Sequence, residues 1–221
     1  MISLVLEAST YAGSAALLEG SSLLASRSVT MRGKDHEALM ASVGDLLDER
    51  GLAPDKIGRV VCGAGPGSFT SLRIAASIAK GLSVATGARL LPVSSLALLV
   101  GSVGLPRPGR YIAVMDAMRG ESYVQEFVVD HLGQVDPAGL HSVRATDSVD
   151  QLAVDRGAVA LGPARLGAAA VAPHARGAVN LTNMIEATEP ADLAAWEPLY
   201  GRLAEAQVKW ELSHGRPLEV V

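Results

Sequence analysis

The order of predicted strands and helices occurs twice along this chain, and that repetition constrains its fold more than any other feature. In the first half, three runs of apolar and β-branched residues predict strands, and a helix, a strand and a further helix follow. After a glycine- and proline-rich linker at 104–109, three predicted strands again precede a helix and a strand. Two halves of βββαβα order predict an internally duplicated α/β fold.

The linker predicts where the two halves divide. We expect one lobe at 1–103, a smaller lobe at 110–198, and a C-terminal helix and tail at 199–221. In the first lobe, apolar residues at helical spacing predict helices over 35–50 and 71–86, each ended by a glycine.

The composition narrows the classes of function. With 221 residues, the chain is long enough to build a core without disulfides or metals. A net charge of −4 argues against a protein that grips nucleic acid alone. Cys62 is the only cysteine, and no uncharged apolar run approaches the length of a membrane span, so we expect a cytoplasmic protein that is neither exported nor inserted.

The sharpest local signal is a glycine-rich loop between a predicted strand and the helix 71–86. Its residues Gly65, Gly67, Ser68 and Thr70 allow two interpretations. Glycines and a helix N-terminus are typical of an anion or nucleotide site. The same residues also make a tight turn with a helix cap, and no Walker lysine follows them.

The helix 71–86 predicts a second packing partner. Its only charged residues, Arg73 and Lys80, are seven positions apart and therefore lie on one narrow stripe. The remaining faces carry more apolar surface than one sheet contact would bury, and small residues among them allow another helix to approach closely. Neighbouring elements of the same chain are the alternative cover for both faces.

Catalytic and metal-binding patterns are weak. Glu7 and Asp116, at the ends of corresponding strands, are candidates to face each other across a cleft, as in an ATP-dependent phosphotransferase, or simply to cap turns. His36-Glu37 has Met40 where a zinc protease motif needs histidine. We therefore predict no catalytic residue, no metal site and no cofactor.

Several segments along the whole chain form a recognisable set of motifs. The most specific is the loop with the sequence Gly-Pro-Gly-Ser-Phe-Thr, followed by Arg73. The others are Glu7 to Thr10, His36-Glu37, Pro92 to Leu96, Asp116 to Arg119 followed by Glu121 to Tyr123, and Pro198 to Tyr200 with Arg202. Together these segments resemble the TsaB (YeaZ) family.

The resemblance implies an actin/Hsp70-like (ASKHA, ribonuclease H-like) fold and a scaffold role without catalysis. A member of this family is expected to bind and activate TsaD, the subunit that transfers threonylcarbamoyl to adenosine 37 of tRNAs reading codons that begin with A. TsaE, an ATPase, completes the assembly, and tRNA is contacted only through the complex.

The resemblance also implies where the partner binds. In the family the two helices of the first lobe pack against the corresponding helices of TsaD, which agrees with the extra apolar face predicted above. The same face is expected to support a homodimer when the chain is isolated. The predicted interface residues are Leu39, Met40, Val43, Ile74, Ile78 and Ala79.

Overall fold

The fold is taken from a computed structural model, which describes residues 1–31, 38–104, 106–165, 169–200 and 213–215. Ten strands and five α-helices are found in these residues. The strands are β1 Ile2–Glu7, β2 Ala12–Glu19, β3 Ser22–Thr30, β4 Ile57–Gly63, β5 Arg89–Val93, β6 Gly109–Asp116, β7 Glu121–Val129, β8 Val135–Pro137, β9 Ser142–Ala145 and β10 Ala158–Leu161. The helices are α1 Ala38–Arg50, α2 Phe69–Thr86, α3 Ser95–Gly101, α4 Val149–Arg156 and α5 Thr182–Ala187.

The first sheet has the strand order β3-β2-β1-β4-β5. The first three strands are antiparallel neighbours, and β4 and β5 run parallel to β1. Because side chains alternate along β1, Leu4 and Leu6 pack on the side of α1 and α2, while Val5 packs on the side of α3. Both faces of the sheet are therefore covered, as is usual for a sheet with parallel strands.

The second sheet repeats the arrangement of the first. Its order is β10-β6-β7-β8, with β10 parallel to β6 and β7 antiparallel to it, matching the relation of β4, β1 and β2. This confirms the predicted duplicated α/β fold. One detail of the prediction was wrong: the single third strand is split into β8 and β9, which pair with different parts of β7. Pro137 and Gly139 explain the break, because both residues weaken a continuous strand.

Helix α3 joins the two sheets into one core. All seven of its residues are buried, and its apolar side chains pack against Val61 and Leu91 of the first sheet and against Tyr111 and Phe127 of the second. A helix that is apolar on every side is stable only when it is enclosed, so α3 holds the two lobes together. Among the described residues, no helix is long and apolar enough to span a bilayer.

Several helix boundaries in the structure differ from the predicted ones. Helix α2 begins at Phe69, two residues before the predicted start, and the predicted helix at 146–156 begins with a 3₁₀ turn over Thr146–Ser148. The alanine- and glycine-rich stretch from 164 gave no prediction, and it contains a 3₁₀ helix over Ala175–Leu181. At the predicted C-terminal helix, Leu199 and Tyr200 are not helical, and 201–212 and 216–221 lie outside the described residues.

His174 connects the 3₁₀ helix to the first sheet. Its Nδ1 accepts a hydrogen bond from the Arg176 amide at 3.0 Å, so in the neutral ring Nε2 donates to the hydroxyl of Ser28, also at 3.0 Å. Burial, together with the nearby charge of Arg176, lowers the pKa of His174 from 6.5 to about 4. The folded protein therefore holds this ring neutral.

Acid is expected to destabilise the protein through His174. Because the pKa of His174 is lower in the folded state, the contribution of this residue to the free energy of unfolding is fully present above pH 6.5. That contribution is lost as the pH falls from 6.5 towards 4. The loss should be about 1–2 kcal/mol, since the ring is only partly buried. Urea unfolding from pH 7.5 to 4.5 measures it. His174→Gln should flatten this part of the profile, and an unchanged profile would contradict the assignment.

Candidate partner-binding site

Glu7, the first candidate for catalysis, is buried beneath the glycine-rich loop. It ends β1 and has no exposed surface. Its Oε1 accepts from the Ser9 amide at 2.5 Å, and its Oε2 accepts from the Ser95 hydroxyl at 2.8 Å. Burial raises the pKa of Glu7, and these hydrogen bonds oppose that effect. Both oxygens are thus occupied by the chain's own donors, and the carboxyl group does not face an open cleft.

Asp116, the second candidate, lies at the exposed end of β6. Its Oδ1 accepts from the Met118 amide at 2.7 Å. Met118 and Arg119 have positive φ angles of 64° and 59°, and the turn between β6 and β7 depends on them. Asp116 therefore caps this turn, which is the second of the two roles considered for it.

The glycine-rich loop is filled by the chain's own backbone. A Cβ on Gly67 would lie 2.2 Å from the carbonyl oxygen of Ser9, and a Cβ on Gly65 would lie 2.2 Å from that of Leu199. Hydrogen bonds fix both approaches, from the Ser68 amide to Ser9 O and from the Leu199 amide to Ala64 O, each at 2.7 Å. The close backbone approach that glycine permits is thus used internally.

The cap of α2 differs from the simplest expectation. Ser68 is the N-cap residue, yet its hydroxyl contacts the hydroxyl of Ser71 at 3.1 Å and does not bond a backbone amide. Thr70 lies in the first turn of the helix and is exposed. Neither residue provides the side-chain cap that was considered for this loop.

Metal ligands are not brought together in the part of the chain that the structure describes. No group of three His, Cys, Asp or Glu side chains there could hold an ion. His36 and Glu37 lie outside the described residues.

The structure separates the six predicted interface residues into two groups. Leu39, Val43 and Ala79 are buried in the core between the sheet and the two helices, so they are not available to a partner, and this part of the prediction was wrong. The physical reason is helix phase, since these three face the first sheet. Met40, Ile74 and Ile78 instead line an open groove on the outer side of α1 and α2.

The segment that contains Trp196 and Tyr200 contacts the side of α2 that carries Arg73 and Lys80. The Lys80 ammonium lies 5.8 Å from the ring centre of Trp196, and the Arg73 guanidinium lies 4.9 Å from that of Phe69. Tyr200 packs on Phe69 with ring centres 4.6 Å apart. The stripe formed by Arg73 and Lys80 therefore contacts aromatic rings. Sequence reasoning missed this contact, although Trp196 and Tyr200, four residues apart, could have indicated a segment that packs on a helix.

What remains open on α2 is a groove of ≈ 1070 Å³ shared with α1. Met40 is 45% exposed, and Ile74 and Ile78 are half-buried. Further along the same side of α2, Gly81 and Ala85 are exposed and Val84 is 72% exposed. A mainly apolar groove flanked by small residues can take up another helix. The lining residues are Met40, Ala41, Phe69, Thr70, Arg73, Ile74, Ser77 and Ile78.

The comparisons with known proteins agree with this geometry. Residues 32–190 match the family model described as TsaD: tRNA N6-adenosine threonylcarbamoyltransferase. The tRNA threonylcarbamoyladenosine biosynthesis protein TsaB of Bacillus subtilis is 30% identical over an alignment 230 residues long, which covers 95% of this chain and 98% of that protein. TsaB of Escherichia coli is 33% identical over 98 residues, 44% of this chain and 42% of its own.

A solved structure gives the same result. YeaZ from Pseudomonas aeruginosa superposes with a TM-score of 0.72 at 29% identity, over 90% of this chain and 99% of that one. Two related α/β lobes packed on a buried α3, with the glycine-rich loop filled by the chain's own backbone, define a duplicated α/β protein with an open groove between two helices. The chain belongs to the TsaB (YeaZ) family.

Proposed function

We propose that this chain is a non-catalytic subunit that binds and activates a TsaD-type transferase in the synthesis of threonylcarbamoyladenosine on tRNA. TsaE joins the same assembly, and the tRNAs are those that read codons beginning with A. The observation that carries the proposal is the open groove between α1 and α2, since the chain does not cover this apolar surface with its own described residues.

The extent of the family match supports the choice of partner. The residues matched by the TsaD model, 32–190, include both α1 and α2. A TsaD-type protein therefore has counterparts of these helices, and two related lobes can pack helix pair against helix pair about an approximate two-fold axis. The isolated chain is expected to form a homodimer through the same groove.

The interior of the first lobe supports a role without catalysis. Glu7 is buried with both oxygens bonded, and the loop at Gly65 and Gly67 is filled by backbone. An ATP-dependent phosphotransferase needs a carboxylate open to a metal or to substrate and a loop open to phosphate. The net charge of −4 likewise favours contact with tRNA only through the complex, which we expect to work in the cytoplasm.

An omission assay tests the proposal. TsaD and TsaE from the same organism, the threonylcarbamoyl-adenylate synthase and tRNA are incubated with and without this chain, and modified adenosine is measured by mass spectrometry. Modification is expected only when the chain is present. Full modification in its absence would exclude the activator role.

The same assay separates the subunit from the phosphotransferase. Glu7→Gln keeps the shape of the side chain and removes its charge, so a folded variant should still activate TsaD to within about 2-fold of wild type. Loss of modification by a variant with an unchanged melting profile would favour the enzyme. Calorimetry with ATP and Mg²⁺ gives an independent reading, and binding that depends on Glu7 would also favour the enzyme.

A further inference from the structure

Arg73 stands out among the described residues that line the groove, because it is the one charged side chain there. Its neighbours on the groove wall are mainly apolar and include Ile74 and Ile78. It is exposed, and no carboxylate of the described residues lies within ion-pair distance of it. Within the described part of the chain, Arg73 is therefore a cation without a carboxylate partner in the lining of the surface proposed for the partner.

Two aromatic rings hold the Arg73 side chain in place. Its guanidinium lies 4.9 Å from the ring centre of Phe69 and 6.0 Å from that of Tyr200. These rings also pack on each other. A planar guanidinium stacked on aromatic rings keeps its edge N–H groups free to donate, and its orientation is set before a partner arrives. Such an arrangement suits bidentate recognition of a carboxylate.

Among the residues that the structure describes, no acidic side chain balances the charge of Arg73. Asp45 and Asp48 lie on the exposed side of α1, further along the helix than the groove-lining Met40, and neither forms an ion pair with Arg73. A partner that covers the groove removes water from Arg73. A desolvated cation without a counter-charge is strongly unfavourable, whereas a hydrogen-bonded ion pair at the centre of an interface offsets that cost.

We infer that the partner brings an aspartate or glutamate side chain on its docking helices into contact with Arg73, so that this ion pair selects the partner. The inference rests on the proposed function, since it needs the groove to be the docking surface. A second copy of this chain fits less well, because the described residues of its own groove lining offer another arginine and no carboxylate. Arg73 therefore favours the heterodimer over the homodimer.

The test compares Arg73→Met and Arg73→Glu with wild type in calorimetric titrations of full-length TsaD from the same organism, at low and high salt. Arg73→Met keeps an unbranched apolar stem and removes the charge, and it should weaken binding at least about 10-fold and reduce the salt dependence. Arg73→Glu should weaken binding further, and arginine in place of the matching acid on TsaD should restore it. The matched control is Arg144→Met, which removes an exposed arginine of the second lobe.

Each result decides the inference. Binding by Arg73→Met within 2-fold of wild type, with the same salt dependence, would overturn it. If that result came with loss of binding by a groove variant such as Met40→Asp, the proposed docking surface would still stand. If the groove variant also bound normally, both ideas would fail. Loss of self-association alone on Arg73→Met would identify a second copy as the occupant and would likewise overturn the inference.

Discussion

Met40→Asp is expected to abolish binding to TsaD and, with it, the modification of tRNA in the reconstituted reaction. Met40 is 45% exposed at the edge of the groove, and its neighbours there include Ile74 and Ile78. An aspartate buried against those side chains would be desolvated without a partner, which costs about 3 kcal/mol or roughly 100-fold in affinity. Pull-down and calorimetry with TsaD measure the loss.

The control for this variant is Val154→Asp. Val154 is 74% exposed on α4 in the second lobe, so the same chemical change is made on a helix outside the groove. Both variants should keep the wild-type melting temperature, because both positions are on the surface. Equal loss of binding by the two variants, or none by either, would show that the groove is not the docking surface.

Gly67→Ala is expected to destabilise the protein by about 3 kcal/mol, with a fall in melting temperature of roughly 10 °C. The added methyl group would lie 2.2 Å from the Ser9 carbonyl oxygen and 2.6 Å from the Ser9 Cβ. The Ser9 carbonyl oxygen cannot move away without lengthening the hydrogen bond that it accepts from the Ser68 amide. Thermal and urea unfolding measure the effect.

Gly44→Ala provides the opposite expectation. Gly44 lies inside α1, and a Cβ there would meet no atom within 4 Å. The substitution should therefore raise stability by about 0.5–1 kcal/mol through helix propensity. If Gly67→Ala had the same free energy of unfolding as wild type, the loop would have room for another group. A phosphate site in the loop would then again be a valid interpretation.

The duplicated fold was predictable because it depends on local patterns. Strands β1 to β3 and helices α1 and α2 follow directly from the spacing of apolar residues and from the glycines that end the helices. The split of the third strand in the second lobe was not predicted, since a proline and a glycine in a short apolar run do not say whether pairing resumes beyond them.

The candidate site was predictable only in part. The sequence showed that α2 has more apolar surface than one sheet contact needs, and the groove at Ile74 and Ile78 agrees with this. The sequence did not show which residues of α1 and α2 face the sheet and which face outwards. Leu39, Val43 and Ala79 were therefore assigned to the outer surface, although they are buried against the sheet. Helix phase relative to a sheet is set by tertiary packing, which periodicity alone leaves undetermined.

Contacts between distant parts of the chain explain the remaining gaps. The glycine-rich loop has a composition that fits both a phosphate site and a tight turn, and the outcome depends on Ser9 and Leu199, which are far away in sequence. Likewise, Trp196 and Tyr200 cover the charged stripe of α2 from the other end of the chain. Side chains at such separations come together only through the complete fold.

The proposed function requires activation of a partner through a one-to-one complex, and a stoichiometric titration tests this most directly. Increasing amounts of the chain are added to a fixed, micromolar concentration of TsaD with TsaE, threonylcarbamoyl-adenylate and tRNA, and the initial rate of modification is recorded. The rate is expected to rise and then become constant at one chain per TsaD. A rate that is independent of the chain, or that keeps rising well beyond equivalence, would contradict the proposed function.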